Sequence, residues 1–295
     1  MKIGIIGLGM LGNAVALHLL DSSFKVAVYN RTEQKTNEAK KRGAVATASP
    51  KELAKISDLV IIAVKDAGAV NDVSFRKDGI VEGNHNKLIV ADMSTIDPSE
   101  SRKIAEKFRE YNIDKLDIPV MGGPNVAIKG ELLMMASGNK EIFEQCKNIF
   151  EVIANKVFFL GESGIGNLIK LAMNLQATML ALALSEGITL VKKANIEPKI
   201  FLDILNSTYF KTGMSEKKAY NMIEGDYDAT FTLANLKKDI NTMTRTAKDL
   251  GIELPMIKKA EEVYENAIRE GFGEVDYTGI INYIKKINET KQNQN

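Results

Sequence analysis

Lys170 and Asn174 stand four residues apart in Gly164-Ile165-Gly166-Asn167-Leu168-Ile169-Lys170-Leu171-Ala172-Met173-Asn174. On a helix that spacing puts both on one face. The residues between and after them are almost all apolar, and a lysine that joins a buried helix is costly unless it has a partner or a task. An unperturbed lysine titrates near pH 10.4, and each unit of depression by burial corresponds to about 1.4 kcal/mol. A lysine tuned toward neutrality can donate a proton and take it back, which is what carbonyl–alcohol interconversion needs. Spacing alone equally fits a lysine that snorkels at a helix start.

Phosphate binding is the second chemistry on offer. Gly7-Leu8-Gly9-Met10-Leu11-Gly12 is a G-x-G-x-x-G placed directly after an apolar run and at the start of a helical one. The first glycine permits a tight turn, the second lets the backbone approach a pyrophosphate, and the third allows helix to pack on strand. The helix N-terminus then faces the phosphate charge. The bland alternative is an ordinary tight strand-to-helix turn. An NAD site places Asp or Glu at the end of the next strand, against the ribose hydroxyls. Here that strand ends Tyr29-Asn30-Arg31-Thr32, with no acid at its tip. Arg31 can pair with a 2′-phosphate, and Asn30 and Thr32 can add hydrogen bonds. The pattern predicts NADP(H) over NAD(H); the alternative for Arg31 is a solvated surface side chain.

The elements that must hold these residues follow from hydrophobic periodicity. Apolar runs predict strands at Ile3–Ile6, Val26–Tyr29, Leu59–Val64, Leu88–Ala91, Leu116–Val120, Leu132–Ala136 and Val157–Leu160. Helical segments such as Met10–Leu20 and Glu33–Arg42 lie between several of them. Short apolar runs separated by helices predict an α/β domain with a largely parallel sheet. After Gly166 strand runs cease and the chain reads as all-helical. One long helix is predicted from Asn167 to about Ala194, buried on most sides in a domain core or between subunits because it carries no charge from Leu171 to Ser185. The expected division is a dinucleotide-binding domain over 1–163 and an all-α domain over 164–295, with a polar, frayed tail from Lys286 to Asn295.

Composition narrows the function classes. The 295 residues carry 39 Lys plus Arg and 38 Asp plus Glu, a formal charge of +1. That balance supplies no general attraction to nucleic acid or an anionic membrane. One cysteine, Cys146, excludes an internal disulfide framework and any cysteine-based metal site, and two histidines, His18 and His85, do not suggest one either. The N-terminus turns glycine-rich at once and forms no signal-peptide core, and the uncharged run Leu171–Ser185, interrupted by Asn174, Gln176 and Thr178, is short and polar for a bilayer. The expectation is a cytoplasmic protein acting on a small molecule, with neither metal, nucleic acid nor membrane as partner.

At this point a resemblance becomes specific. The chain resembles the β-hydroxyacid dehydrogenase family, which includes 3-hydroxyisobutyrate dehydrogenases and glyoxylate/succinic semialdehyde reductases. Beyond the glycine loop, Asp92-Met93-Ser94-Thr95 resembles the family's D-x-S-T segment. Asp117-Ile118-Pro119-Val120-Met121-Gly122-Gly123 resembles D-x-P-V-S-G-G, continued by Ala127, Gly130 and Leu132. Gly164-x-Gly166-x-x-x-Lys170-x-x-x-Asn174 matches the catalytic motif at every specified position, and Phe231 with Lys238-Asp239 matches a C-terminal signature.

The resemblance covers the whole chain and implies a Rossmann-type domain followed by an all-α domain, with the active site in the cleft between them. It implies Lys170 as general acid in reduction and base in oxidation, Asn174 as a hydrogen-bonding partner of the substrate, and Gly122 and Gly123 as backbone donors to its carboxylate. Thr95 and Lys238 would meet the nicotinamide end of the cofactor, and Phe231 and Asp239 would close the pocket. Two departures stand out. Most relatives carry serine where this chain has Met121, and a thioether cannot donate to a carboxylate. Val64-Lys65-Asp66 stands where relatives often have an apolar residue and proline; Lys65 fits either a surface side chain or a positive charge near the expected cofactor site. Imine reductases share the architecture and usually lack the lysine, so Lys170 argues against that reading while Met121 keeps it open. A non-catalytic NADP-binding module is disfavoured by the presence of both Lys170 and Asn174, and a phosphogluconate dehydrogenase proper by the short chain. A homodimer or homotetramer is expected.

Overall fold

The structure is a computed structural model that describes residues 1–85 and 88–290. The chain divides into two compact units between Lys170 and Leu171. Unit 1 opens with β1 (Ile3–Ile6), α1 (Met10–Asp21) and β2 (Val26–Tyr29), followed by α2 (Asn37–Lys41), β3 (Val45–Ala46) and α3 (Pro50–Lys55). It continues through β4 (Leu59–Ile62), α4 (Ala67–Phe75), β5 (Ile89–Asp92), α5 (Pro98–Glu110) and β6 (Asp114–Asp117). These six strands form one sheet in the order β3-β2-β1-β4-β5-β6, and every pairing is parallel.

Parallel strands covered on both faces read as unbroken apolar runs, as Ile3–Ile6 and Leu59–Ile62 do, every residue buried. Side chains alternate between two cores. Ile3, Ile5, Leu59 and Ile61 pack with Val15 and Leu19 of α1 on one face. Ile6, Val60 and Ile62 pack with Leu53, Ile104 and Phe108 of α3 and α5 on the other. Each such aliphatic, fully buried, contributes roughly 1.5–3 kcal/mol. The order 3-2-1-4-5-6 with helices on both faces is the doubly wound Rossmann arrangement.

A second, three-stranded sheet completes unit 1. Here β7 (Val120–Met121) runs antiparallel to β8 (Leu132–Ala136), which is parallel to β9 (Ala154–Phe159); the short helix α6 (Pro124–Ala127) and α7 (Lys140–Ile153) lie between the strands in sequence. The run Leu116–Val120, expected as one strand, therefore splits between two sheets. Pro119 has no N–H for a ladder, and after Asp117 the chain leaves the large sheet. Glu33–Arg42, expected as one helix, begins as a 3₁₀ turn over Glu33–Thr36, tightened by the Thr36 hydroxyl donating to Glu33 O at 2.7 Å.

The rest of the chain is helical. The long helix α8 (Ile165–Lys193) is followed by α9 (Pro198–Asn206), α10 (Gly213–Lys217), α11 (Ala219–Glu224), α12 (Leu233–Asp249), α13 (Pro255–Arg269) and α14 (Ile280–Thr290). Lys286–Thr290, expected to fray, complete α14; the remainder of that tail lies outside the described residues. In unit 2, Leu171, Ala181, Leu236, Ile240 and Tyr264 form one core, and Leu184, Ile188, Leu202 and Met222 a second.

Within this chain 33% of the most apolar window of α8 is buried, where the sequence predicts burial on most sides in a domain core or between subunits. Among the described residues α8 alone is long and apolar enough to cross a membrane by length and composition. Two of its hydroxyls bond back to the helix itself. The Thr178 hydroxyl donates to Asn174 O and the Ser185 hydroxyl to Ala181 O, so both side chains are accommodated in protein packing.

Candidate active site

The glycine loop sits where β1 hands over to α1. Gly7 has φ +98°, and a Cβ there would come within 2.2 Å of Ala63 O; at Gly12 a Cβ would lie 2.0 Å from Gly7 O. Both positions are closed to any side chain. Gly9 differs: a Cβ there would meet nothing within 4 Å. As N-cap of α1 it supplies no side-chain acceptor, and the first turn holds no acidic residue. The N–H groups at this helix start are thus left for an outside anion.

At the tip of β2, Asn30 is partly committed. Its Oδ1 accepts from Leu8 N at 2.9 Å, and its Nδ2 donates to Thr32 O at 2.9 Å. Asn30 therefore ties the glycine loop to the strand tip and keeps one amide hydrogen for a ligand. Arg31 and Thr32 are exposed beside it.

The segments after β4 and β5 run side by side. Val64 N donates to Ser94 Oγ at 3.1 Å, and Asp92 Oδ1 accepts from Ser94 N at 2.9 Å. Asp66 caps α4 by accepting from Ala69 N, which leaves Lys65 exposed just before the helix. Thr95 is half-buried, and its neighbour Ile96 donates its N–H to Asn167 Oδ1 at 3.1 Å. The segment bearing Thr95 is thus tied directly to the first turn of α8.

Lys170 and the Met121–Gly123 segment are brought together. Lys170 Nζ lies 3.0 Å from Met121 Sδ, and Lys170 is half-buried. Gly122 has φ +123°, and a Cβ on it would press on Leu132 and Val126 side chains, so the turn requires glycine. Lys170 is carried by a tightly docked helix start. Gly164 (φ +92°) would clash with Pro98 O and Arg102 if it bore a Cβ, and Gly166 with Met135 O.

Behind this helix start lies a charged cluster with no solvent exposure. Asp117 Oδ2 accepts from Gly164 N at 2.6 Å and from the Ser137 hydroxyl at 3.2 Å, while Ser137 Oγ in turn accepts from Gly166 N at 3.1 Å. Asp117 Oδ1 accepts from the Ser101 hydroxyl at 2.5 Å and pairs with Lys115 Nζ; that ammonium also reaches Ser101 Oγ at 3.0 Å and Asp92 Oδ2 at 3.7 Å. Burial alone would pull the Lys115 ammonium down, but the two facing carboxylates outweigh it and hold its pKa above the ordinary lysine value. Burial would push Asp117 up, yet Lys115, Ser101 and Gly164 N–H keep its carboxyl below the usual range. Asp92 goes the other way, raised by burial that Lys115 and Ser94 only partly offset.

In unit 2 the expected residues form a second group. Asn174 Nδ2 donates to Asp239 Oδ2 at 2.6 Å, both residues buried, and Lys238 Nζ lies 2.7 Å from Asp239 Oδ1. Asp239 therefore orients Asn174 and anchors Lys238. Phe231 packs edge-on against Tyr277 at 6.0 Å between centroids, and its carbonyl accepts from Tyr277 N.

Two family models match the chain in succession. The NAD-binding domain of 6-phosphogluconate dehydrogenase covers residues 2–161, and the NAD-binding domain of NADP-dependent 3-hydroxyisobutyrate dehydrogenase covers 164–284. Glyoxylate/succinic semialdehyde reductase 1 of Arabidopsis thaliana is 31% identical over 97% of this chain and 99% of its own length. The chain belongs to the β-hydroxyacid dehydrogenase family. A 3-hydroxyisobutyrate dehydrogenase of Salmonella typhimurium has the same fold, with TM-score 0.87 and 28% identity over 96% of this chain and 99% of that one. An imine reductase from Pseudomonas sp., 20% identical, overlays at TM-score 0.65 over 96% of this chain and 99% of its own, and shares the fold alone.

As a β-hydroxyacid dehydrogenase this chain is an NAD(P)-dependent oxidoreductase, and its glycine loop fits the nicotinamide dinucleotide that the family implies. Gly7 and Gly12 are crowded by the turn itself, whereas Gly9 and the uncapped α1 N-terminus present the open, donor-lined space a pyrophosphate needs. What sequence reasoning misses in this dehydrogenase is the layer behind the motifs. Lys115, Ser101 and Ser137 belong to none of them. A signal existed: Lys115 and Asp117 alternate with Leu116 in a strand of a parallel sheet, where both faces are covered, so two charges on one strand face must pair. Lys218 and Asp276, which form an ion pair at 2.9 Å beside Tyr277, escaped for the same reason.

Proposed function

We propose that this dehydrogenase uses NADP(H) to interconvert a small β-hydroxyacid with its aldehyde acid, of the 3-hydroxyisobutyrate, succinic semialdehyde or glyoxylate type, with Lys170 as the acid–base residue. The observation that carries the reading is the approach of Lys170 Nζ to Met121, beside the Gly122–Gly123 turn. When bound, the nicotinamide supplies hydride in reduction and accepts it in oxidation. Gly7–Gly12 would hold the pyrophosphate through backbone N–H groups, and Asn30, Arg31 and Thr32 the 2′-phosphate. Val64, Lys65, Thr95 and Lys238 would face the rest of the cofactor.

Lys170, as ammonium, gives its proton to the alkoxide oxygen that develops at the substrate carbonyl; in oxidation the neutral amine takes the hydroxyl proton back. Asn174, held by Asp239, donates to the same end of the substrate, and Phe231 excludes water from it. With Met121 in place of a hydroxyl, carboxylate recognition rests on the N–H groups of Gly122 and Gly123. This favours substrates whose acid end is bulkier or less polar than those a serine would hold. We place the enzyme in the cytoplasm as a homodimer or homotetramer. Met121 also supports a second reading, reduction of imines.

The deciding experiment follows NADPH and NADH consumption on glyoxylate, succinic semialdehyde, methylmalonic semialdehyde and a set of cyclic imines. Lys170→Ala is expected to lower kcat by about 10²-fold or more, and Arg31→Glu to remove the preference for NADPH. Carbonyl turnover indifferent to Lys170 would falsify the mechanism, and turnover of imines alone would replace it with the second reading.

A further inference from the structure

Lys115 is an expensive residue to bury. It sits on β6, the edge strand of the large sheet, with no side-chain exposure. A buried ion pair seldom stabilises a fold more than well-packed apolar side chains would, so its retention asks for another use. The use is legible in what the pair holds. Asp117 and Asp92 are register partners at the C-terminal ends of β6 and β5, the edge along which doubly wound sheets place their ligands. One Asp117 oxygen is held by Lys115 and Ser101, and the other takes Gly164 N and, through Ser137, Gly166 N. Asp92, across from Lys115, fixes the backbone of Ser94, whose hydroxyl fixes Val64. Three segments that carry candidate site residues therefore converge on one ammonium.

We propose that Lys115 is a positioning residue for the reaction: by pairing with Asp117 it fixes the start of α8, and so the place of Lys170, against the segments bearing Thr95 and Met121–Gly123. The inference rests on Lys170 being the acid–base residue. The physical link is the ionisation of Asp117. An ionised carboxylate accepts at both oxygens and binds Gly164 N–H with charge assistance. Without the ammonium, a carboxyl this deeply buried takes up a proton and turns one oxygen into a donor, facing groups that are themselves donors. The start of α8 then shifts, and a rigid helix carries the shift to Lys170, less than two turns on.

The test compares the full-length wild type with Lys115→Met, Ser137→Ala and Lys115→Met/Asp117→Leu. It reads thermal melting, NADPH binding by fluorescence, kcat and KM at saturating NADPH on the best carbonyl, and hydrogen exchange across residues 161–170 without cofactor. The kcat is expected to fall by about 100-fold in Lys115→Met and by about tenfold in Ser137→Ala, the range that misplacement of a reacting group by about 1 Å produces. NADPH binding changes less than kcat does, since the glycine loop lies outside the cluster and Asp92 keeps its bond to Ser94 N. Exchange rises across 161–170 and stays unchanged across the glycine loop. The double variant regains melting temperature and remains slow.

A folded Lys115→Met enzyme with wild-type kcat overturns the proposal, as does a double variant whose kcat returns with its stability; either outcome assigns Lys115 to stability alone. Should Lys115→Met fail to fold, Ser137→Ala decides by the same readings, with unchanged kcat and unchanged exchange counting against positioning. Failure of the underlying reading is distinct: Lys170→Ala would then keep its turnover while exchange across 161–170 still responded to Lys115. Without a working substrate, an exchange rate indifferent to both variants overturns the proposal by itself.

Discussion

Two turns in unit 1 spell glycine–x–glycine before a helix, and they treat the helix N-terminus in opposite ways. At Gly7–Gly12 the middle glycine faces open space and no side chain caps α1. At Gly164–Gly166 both glycines press on neighbouring backbone, and both N–H groups are taken, one by Asp117 and one by Ser137. At the first turn no carboxylate or side-chain cap of the protein meets the helix's positive end. The second has its positive end plugged by the protein's own carboxylate. Glycine spacing is the same signal in both; what differs is whether the protein's own groups already engage the N–H groups.

The largest effect should come from removing the plug. Asp117→Asn leaves Lys115 buried with only Asp92, at 3.7 Å, for a counter-charge, a loss of about 3 kcal/mol or more by chemical denaturation; a change below about 1 kcal/mol would show that the second turn is not held electrostatically. Next in size are the alanine substitutions. Gly166→Ala forces a Cβ to within 2.4 Å of Met135 O and should cost about 1–3 kcal/mol. Gly9→Ala should leave stability within about 0.5 kcal/mol, yet loosen NADPH about tenfold in a fluorescence titration, equivalent to about 1.4 kcal/mol. If Gly9→Ala binds normally, the open space there is not the phosphate site.

The smallest effect is a difference in acid sensitivity. Asp117 is held below the ordinary carboxylate range, so its contribution is fully present above about pH 4 and is lost as pH falls through the folded-state value. Amide exchange across 161–170, relative to that of residues 7–12, should therefore rise only below about pH 4, because the turn at 7–12 depends on no titrating side chain. Simultaneous loss would merge the two regions into one unfolding event.

Much of the architecture was legible because burial writes itself into the residues. Ile3–Ile6, Val26–Tyr29 and Leu132–Ala136 fall where their apolar runs predict, since a strand covered on both faces tolerates little else. The two-residue β3, with Val45 exposed, is too short and too wet to leave a pattern. Leu116–Val120 looked like one strand because hydrophobicity runs through it, whereas its division rests on the missing N–H of Pro119. At the site the motif residues were visible from type and spacing. The cluster behind them was half legible: Lys115 and Asp117 share a strand face in the sequence, whereas Asp92 and Ser101 are brought to them from other elements by sheet order. Long-range pairing of this kind leaves no local period.

Asn30 carries a consequence for how this enzyme could change over time. Its Oδ1 shapes the glycine loop through Leu8 N while its amide group faces the strand tip. Replacing that NH₂ with an oxygen would keep the acceptor for Leu8 N and install the acid that NAD-type tips carry, but it would break the bond to Thr32 O and set two acceptors against each other. An acid here would keep the tie of the glycine loop and lose the tie to Thr32, so loop and strand tip respond separately to the same substitution.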